Sequence, residues 1–286
     1  MRFASRGIRA SIYPNTKSIG VILMLSDTSQ LRYHFDFHSE NLDNKRTIAV
    51  WLPPGYNPDS TYPVLYLHDG QNMFDKRYAA YGSIWEADKT AERLIRQGFL
   101  RPLILVGVDN NLQREEEYTL QRDAREKRGG NARNYGKFLT EELKPFIDSH
   151  YQTKAGPENC GIAGSSLGGL VSLTLALDYP EVFGLCGAIS ASLWWANQKS
   201  LYDVLAQASR LSNSRIWFDM GTEEGKYPGC VNPPFTLTRL LASRLEQIGL
   251  LPGWNYYYQE IVGGQHHEND WRDRFDRILL FLFGKP

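Results

Sequence analysis

The sequence predicts an α/β fold, a mainly parallel central sheet with helices on both faces. Three observations carry that expectation. Short runs rich in apolar and β-branched residues recur from residue 47 onward, separated by helical or polar segments. These runs are nearly continuous rather than alternating, as strands covered on both faces are. The 286 residues, 42% apolar and 22% charged, suit one layered domain with a large core.

Taken in order, "TIAVWLP" (47–53) and "YPVLYLHDG" (62–70) read as strands, the second ending in a turn. "LILVGVDN" (103–110), "NCGIAGS" (159–165) and "LCGAISAS" (185–192) follow, then "RIWFDMG" (215–221) and "NYYYQEIVGG" (255–264). Helical segments are expected at about 86–97, 134–148, 167–178 and 235–248, between the strands. In sheets of this kind the active groups gather at the carboxyl ends of the strands, which says where the chemistry belongs.

Charge offers no partner. Lys plus Arg equals Asp plus Glu at 32 each, so net charge gives no reason to expect nucleic acid or an acidic membrane surface. Cys160, Cys186 and Cys230 lack metal-ligand spacing and read as reduced thiols of a cytoplasmic protein. Basic residues Arg2, Arg6, Arg9 and Lys17 precede an apolar run at 19–25 that is too short to cross a bilayer. It reads as an extra strand or an extension rather than an export signal.

The stretch "GIAGSSLGGLVSL" (161–173) carries the chemistry. Gly-x-Ser-x-Gly fits one frame only, Gly164 to Gly168, and makes Ser166 rather than Ser165 the candidate nucleophile. Its context fits: "CGIAG" is a strand, and "LVSLTLALDYP" is an apolar helix stopped by Pro180. A serine on such a turn has its hydroxyl projected by a strained backbone. The helix N-terminus also favours the negative charge that develops there.

A serine hydroxyl needs an adjacent base, and on strand–serine–helix folds of this type the partners follow in the order acid, then histidine. Only His266 and His267, in "GGQHHENDW", come after Ser166. Adjacent histidines rarely face one metal ion and no HExxH spacing occurs, so a base is the better reading of the pair. For the acid, "RIWFDMGTEEG" offers Asp219 inside the strand, and Glu223 and Glu224 in the turn at its carboxyl end.

The chain resembles the esterase-D-type branch of the α/β-hydrolases, which includes enterochelin esterases and feruloyl esterases. The similarity runs over about residues 37–284. It rests on "VWLPPGY" (50–56), "LYLHDGQNMFD" (65–75), "EYT" (117–119), "GSSLGG" (164–169), "MGTEEG" (220–225) and "GGQHHENDW" (263–271). It implies one α/β-hydrolase catalytic domain over 37–286, with residues 1–36 an extension outside the resemblance. Ser166 is then the nucleophile, His266 the base and Glu224 the orienting acid. The oxyanion donors would be the N–H of Leu167 and that of Gly70 or Gln71. His68 and Asp69 would hold the shape of that second turn, and Trp194 and Trp195 are expected to bind substrate. The charged stretch 113–133 is expected to cover the sheet edge as a cap or surface loop, with most of its charges solvated.

The function expected is a serine carboxylesterase acting on a small-molecule ester through an acyl-enzyme, with no metal or other cofactor. The same residues would serve a siderophore lactone esterase, feruloyl esterase, thioesterase or acyltransferase. A hydrolase-like binding protein without activity is the alternative of another class, expected to lack at least one of the three groups.

Overall fold

The computed structural model describes residues 30–80, 82–225 and 233–285; the run at 19–25 and Cys230 lie outside the described residues. Its strands are β1 Leu31–Ser39, β2 Asn44–Trp51, β3 Val64–His68, β4 Ile104–Val108, β5 Cys160–Ser165, β6 Leu185–Ile189, β7 Arg215–Gly221 and β8 Tyr256–Ile261. They form one sheet in the order β1-β2-β4-β3-β5-β6-β7-β8. β1 and β2 pair antiparallel at one edge, and β4 through β8 run parallel.

β3, β4, β5 and β6 are buried at every residue, which is why each reads as an unbroken apolar run. Alternate side chains feed two cores. Val64 and Tyr66 pack on one face with Ile104, Val106, Ile162 and residues of the helices Leu167–Asp178 and Pro234–Gln247. Leu65 and Leu67 pack on the other with Leu105, Ala163 and residues of the helices Ala87–Arg96 and Phe275–Phe283. Successive side chains of a strand point to opposite faces, so five residues suffice to knit both layers together.

The expected strands and helices are present, and among the described residues β1 and the helices Arg114–Glu117, Lys199–Gln207, Glu268–Arg272 and Phe275–Phe283 are added to them. β1 places residues 31–36 in the sheet, ahead of position 37. Its alternation of Tyr33, Phe35 and Phe37 is broken by a bulge between His34 and Phe37, with Asp36 at φ 54°. The slip keeps Tyr33 stacked on Phe35 and swings Phe37 to join His34 against Phe146. The helix expected over 134–148 spans Ala132–His150, with a π-helical stretch at Phe138–Leu143. Pro145 follows that stretch; a proline there lacks an N–H and would press on the carbonyl four residues back, and the wider turn relieves this.

The stretch 113–133 divides in two. Residues 122–128 are mostly exposed, whereas Glu117, Tyr118 and Thr119 are buried. Glu117 forms a buried ion pair with Arg46 at 2.8 Å, which pins the segment to β2. Cys160 and Cys186 are buried free thiols, and burial pushes the Cys160 thiol up to about 12. Among the described residues no helix is long and apolar enough to cross a membrane.

Candidate active site

β5 ends at Ser165 and the helix Leu167–Asp178 begins two residues on, so Ser166 alone makes the turn. It adopts φ 59°, ψ −122°, a backbone state that costs an L-residue about 1–3 kcal/mol and persists only where its surroundings enforce it. The enforcement is visible. Its N–H donates to the Ile189 carbonyl at 3.0 Å, and its own carbonyl accepts from the N–H groups of Leu170 and Ser192 at 3.1 and 3.0 Å. A Cβ on Gly164 would lie 2.9 Å from the Gly168 backbone, so the motif's two glycines let strand and helix close on each other.

The turn delivers Ser166 Oγ to His266 Nε2 at 2.9 Å, and His266 Nδ1 meets Glu224 Oε2 at 2.8 Å. A carboxylate only accepts, so Nδ1 carries the proton and Nε2 is left to accept from the serine hydroxyl. Two loops at the carboxyl ends of β7 and β8 make this possible, and they are sewn together. Thr222 N–H donates to Ile261 O and Glu223 N–H to Gly264 O, both at 3.0 Å; Gly263 N–H donates to Thr222 Oγ1. Gly221 has no room for a side chain, because a Cβ there would sit 2.3 Å from the Gly264 carbonyl oxygen.

The doubled residues of the sequence are separated by this geometry. Glu224 is buried and Glu223 exposed, as alternation along an extended turn requires. His266 enters the line, while His267 caps the helix Glu268–Arg272 by accepting the Asn269 N–H at 3.1 Å. Asp219, the third acidic candidate, faces Arg274 in an ion pair at 2.9 Å and does not reach His266.

Behind Glu224 lies a network that nothing in the motif announces. Glu224 Oε1 accepts the Gly221 N–H at 2.7 Å and the Ser190 hydroxyl. Ser190 Oγ in turn accepts from Trp271 Nε1 at 3.0 Å and Arg274 Nη2 at 2.7 Å. Asp219 holds Arg274 through both carboxylate oxygens and accepts Trp217 Nε1 at 2.7 Å. Trp271 also stands edge-on to the His266 ring, 5.0 Å between centroids.

Ser166 opens into a cleft of about 450 Å³. Met73, Trp85 and Trp271 give it an apolar wall, and Asp69, Asn72, Arg114 and Glu268 give it a polar one. Asp69 begins the turn after β3 at φ 56°. Burial would raise its carboxyl, but the forked Arg114 guanidinium at 2.7 and 2.8 Å, with Asn110, holds it below the usual carboxylate range. Its N–H donates to the Tyr118 oxygen at 3.1 Å. Burial drives His68 down to about 3, so it stays neutral beside Tyr135.

The Leu167 N–H is the first of the helix and has no acceptor within it. Gly70 and Gln71 occupy the short turn Gly70–Asn72, where Gly70 packs against β4 too closely for any Cβ. The Gln71 side chain is turned to the Asn110 N–H at 3.1 Å. Both residues line a separate cavity of about 40 Å³ with Tyr33 and Asp109, so only their backbone is a candidate for the oxyanion. Trp194 and Trp195, expected at the substrate, are not among the described residues lining the cleft. Trp195 is 4% exposed and donates to the Gln121 carbonyl at 2.7 Å; Trp194 packs half-buried against the core. Paired tryptophans after a strand carry no sign in sequence of which way they face.

A mainly parallel sheet with a serine on the turn after β5 is an α/β-hydrolase fold. The family model described as "Putative esterase" matches residues 39–282, and the chain belongs to that family of esterases. It is 26% identical over 254 residues to YbbA of Bacillus subtilis, covering 86% of this chain and 96% of that protein. It is 32% identical over 165 residues to an endo-1,4-beta-xylanase/feruloyl esterase of Xylanibacter ruminicola, covering 55% of this chain and 21% of the other. The enterobactin esterase FES of Shigella flexneri shares the fold at a TM-score of 0.68 and 20% identity, over 89% of this chain and 59% of that one. The expectation of a carboxylic ester hydrolase is met at the level of the family.

Proposed function

We propose that the protein is a serine carboxylesterase with Ser166 as nucleophile, His266 as general base and Glu224 as orienting acid. The observation that carries this is the single hydrogen-bonded line Ser166–His266–Glu224, at 2.9 and 2.8 Å, with Ser166 open to the cleft.

As Ser166 Oγ attacks the ester carbonyl, its proton passes to His266 Nε2. Glu224 then faces an imidazolium and stabilises it. The tetrahedral oxyanion takes the Leu167 N–H and a second N–H, from Gly70 or Gln71. Collapse breaks the bond to the alcohol oxygen, which leaves with the His266 proton and gives the acyl-enzyme. Water, deprotonated by His266, attacks that acyl group; the acid departs and Ser166 recovers its proton. No step requires a metal or cofactor.

The relatives' names frame the substrate choice between a feruloyl ester and a siderophore lactone. Thioesters or an acyl acceptor other than water would use the same residues. The test is kcat/KM on p-nitrophenyl acyl esters, a feruloyl ester and a catecholate siderophore, with Ser166→Ala as control. Turnover of at least one, abolished in Ser166→Ala, supports the reading; turnover unaffected by that substitution refutes it. The buried free Cys160 and Cys186 accord with a reducing, cytoplasmic setting.

A further inference from the structure

Glu268 follows the proposed base by two residues and lines the cleft with Ser166 and His266. It is 7% exposed. The other carboxylate of the cleft wall, Asp69, is tied to Arg114 and Asn110. No hydrogen bond or ion pair reaches the Glu268 side chain among the described residues. Its carboxylate oxygens keep access to the cleft, and a carboxylate there that no described group has claimed is placed to meet a ligand.

We propose that Glu268 is a specificity-determining residue that selects esters carrying a cationic group, an ammonium or guanidinium, away from the scissile carbonyl. This rests on the serine-esterase reading of the same cleft. Among the described residues of the wall, Arg114 is ion-paired with Asp69, and Glu268 adds a negative charge that no described cation pairs. A ligand cation would form a charge-assisted hydrogen bond in a partly desolvated site, where such bonds are strongest. The indoles of Trp85 and Trp271, with centroids 6.2 Å apart, add an aromatic wall that tolerates an alkylammonium better than it does an anion. Anionic substrates meet like charge, and a ferric catecholate complex, with its net negative charge, is among those disfavoured.

The experiment compares kcat/KM within two matched ester series. In one the charge sits on the acyl chain: p-nitrophenyl esters of heptanoic, 6-aminohexanoic, 6-hydroxyhexanoic and adipic acids. In the other it sits on the alcohol: a choline ester against its neutral 3,3-dimethylbutyl isostere. In at least one series we expect the cationic ester to be preferred over the neutral one by about 10-fold or more, and the adipate to fall below it. Glu268→Gln should bring the cation-to-neutral ratio to within about 2-fold of unity, and Glu268→Lys should invert it. The ratio is internal to each variant, so a general loss of turnover does not affect it. A ratio unchanged in both variants, or a wild-type preference for the hydroxyl or the carboxylate, overturns the inference while the esterase reading stands. Failure to hydrolyse any ester, together with no phosphonylation of Ser166 by a fluorophosphonate, overturns both.

Discussion

Arg274 stands 3.9 Å from the Glu224 carboxylate, and Ser190 is the group that joins them, donating to Glu224 Oε1 while accepting from Arg274. Glu224, the proposed orienting acid, is thereby tied to a buried cation that Asp219 fixes from behind. Ser190→Ala removes the hydroxyl without disturbing the ion pair. We expect kcat to fall about 10- to 100-fold with little change in KM, the rate equivalent of the ~1.5–3 kcal/mol that a hydrogen bond to a charged group contributes. Steady-state kinetics on one p-nitrophenyl ester decides it; wild-type kcat in Ser190→Ala means Glu224 needs no such support.

Glu223 and Glu224 differ by one position and by burial. Glu224→Ala should lower kcat by roughly 10²–10⁴-fold with a modest change in KM, because the oxyanion donors and a mispositioned base still supply some rate. Glu224→Gln should recover little, since a neutral amide cannot stabilise an imidazolium. Glu223→Ala should stay within a few-fold of wild type. With circular dichroism confirming the fold, a crippled Glu223→Ala would move the acid by one residue.

The histidine pair separates in the same way. His266 bonds Ser166 and Glu224, whereas His267 bonds the Asn269 N–H at a helix start. We expect His266→Ala to be nearly inactive and His267→Ala to keep the larger part of its turnover. Losing the His267 cap should cost on the order of 1 kcal/mol of stability instead. Equal losses of activity would mean that the loop, and not one ring, had been altered.

Acid should destabilise the fold through buried neutral histidines. Burial lowers His34 to about 4 and His68 to about 3, against about 6.5 in an unfolded chain. Between those values the unfolded state binds more protons, so their contribution is complete above pH 6.5 and declines as pH falls toward 4. Asp109 acts oppositely: burial raises it to about 7, so its contribution is lost as pH rises through that value. Two histidines outweigh one carboxyl, and Tm should drop between pH 6.5 and 4.5. The drop should be shallower in His34→Gln, whose amide can still meet the Tyr151 hydroxyl. Calorimetry across that range, with an equal slope in the variant, would reject His34 as a source.

How much of this was legible depended on how local each signal was. β3 to β7 and the Ser166 turn were written in contiguous residues, because a doubly covered strand must be apolar throughout and a one-residue turn must be flanked by glycines. Ser166 was picked out by a frame and His266 and His267 by chain order, but Glu224 over Glu223 came only from family likeness. β1 escaped because its bulge breaks the period-two pattern. Ser190, Asp219 and Arg274 could not be read together: Arg274 lies 84 and 55 positions from the two groups it joins, and only the sheet brings them to one place. The role of Trp194 and Trp195 could not be read from sequence for the converse reason, since size and aromaticity suit a core as well as a cleft.

The central claim is that Ser166, strained at φ 59° and bonded to His266, is the nucleophile. Its most direct test is the site of phosphonylation, read by mass spectrometry of peptides after treatment with a fluorophosphonate. A label on Ser166 is expected, absent from Ser166→Ala and from His266→Ala but retained in Ser165→Ala. A label on Ser165, or undiminished ester hydrolysis by Ser166→Ala, would contradict it.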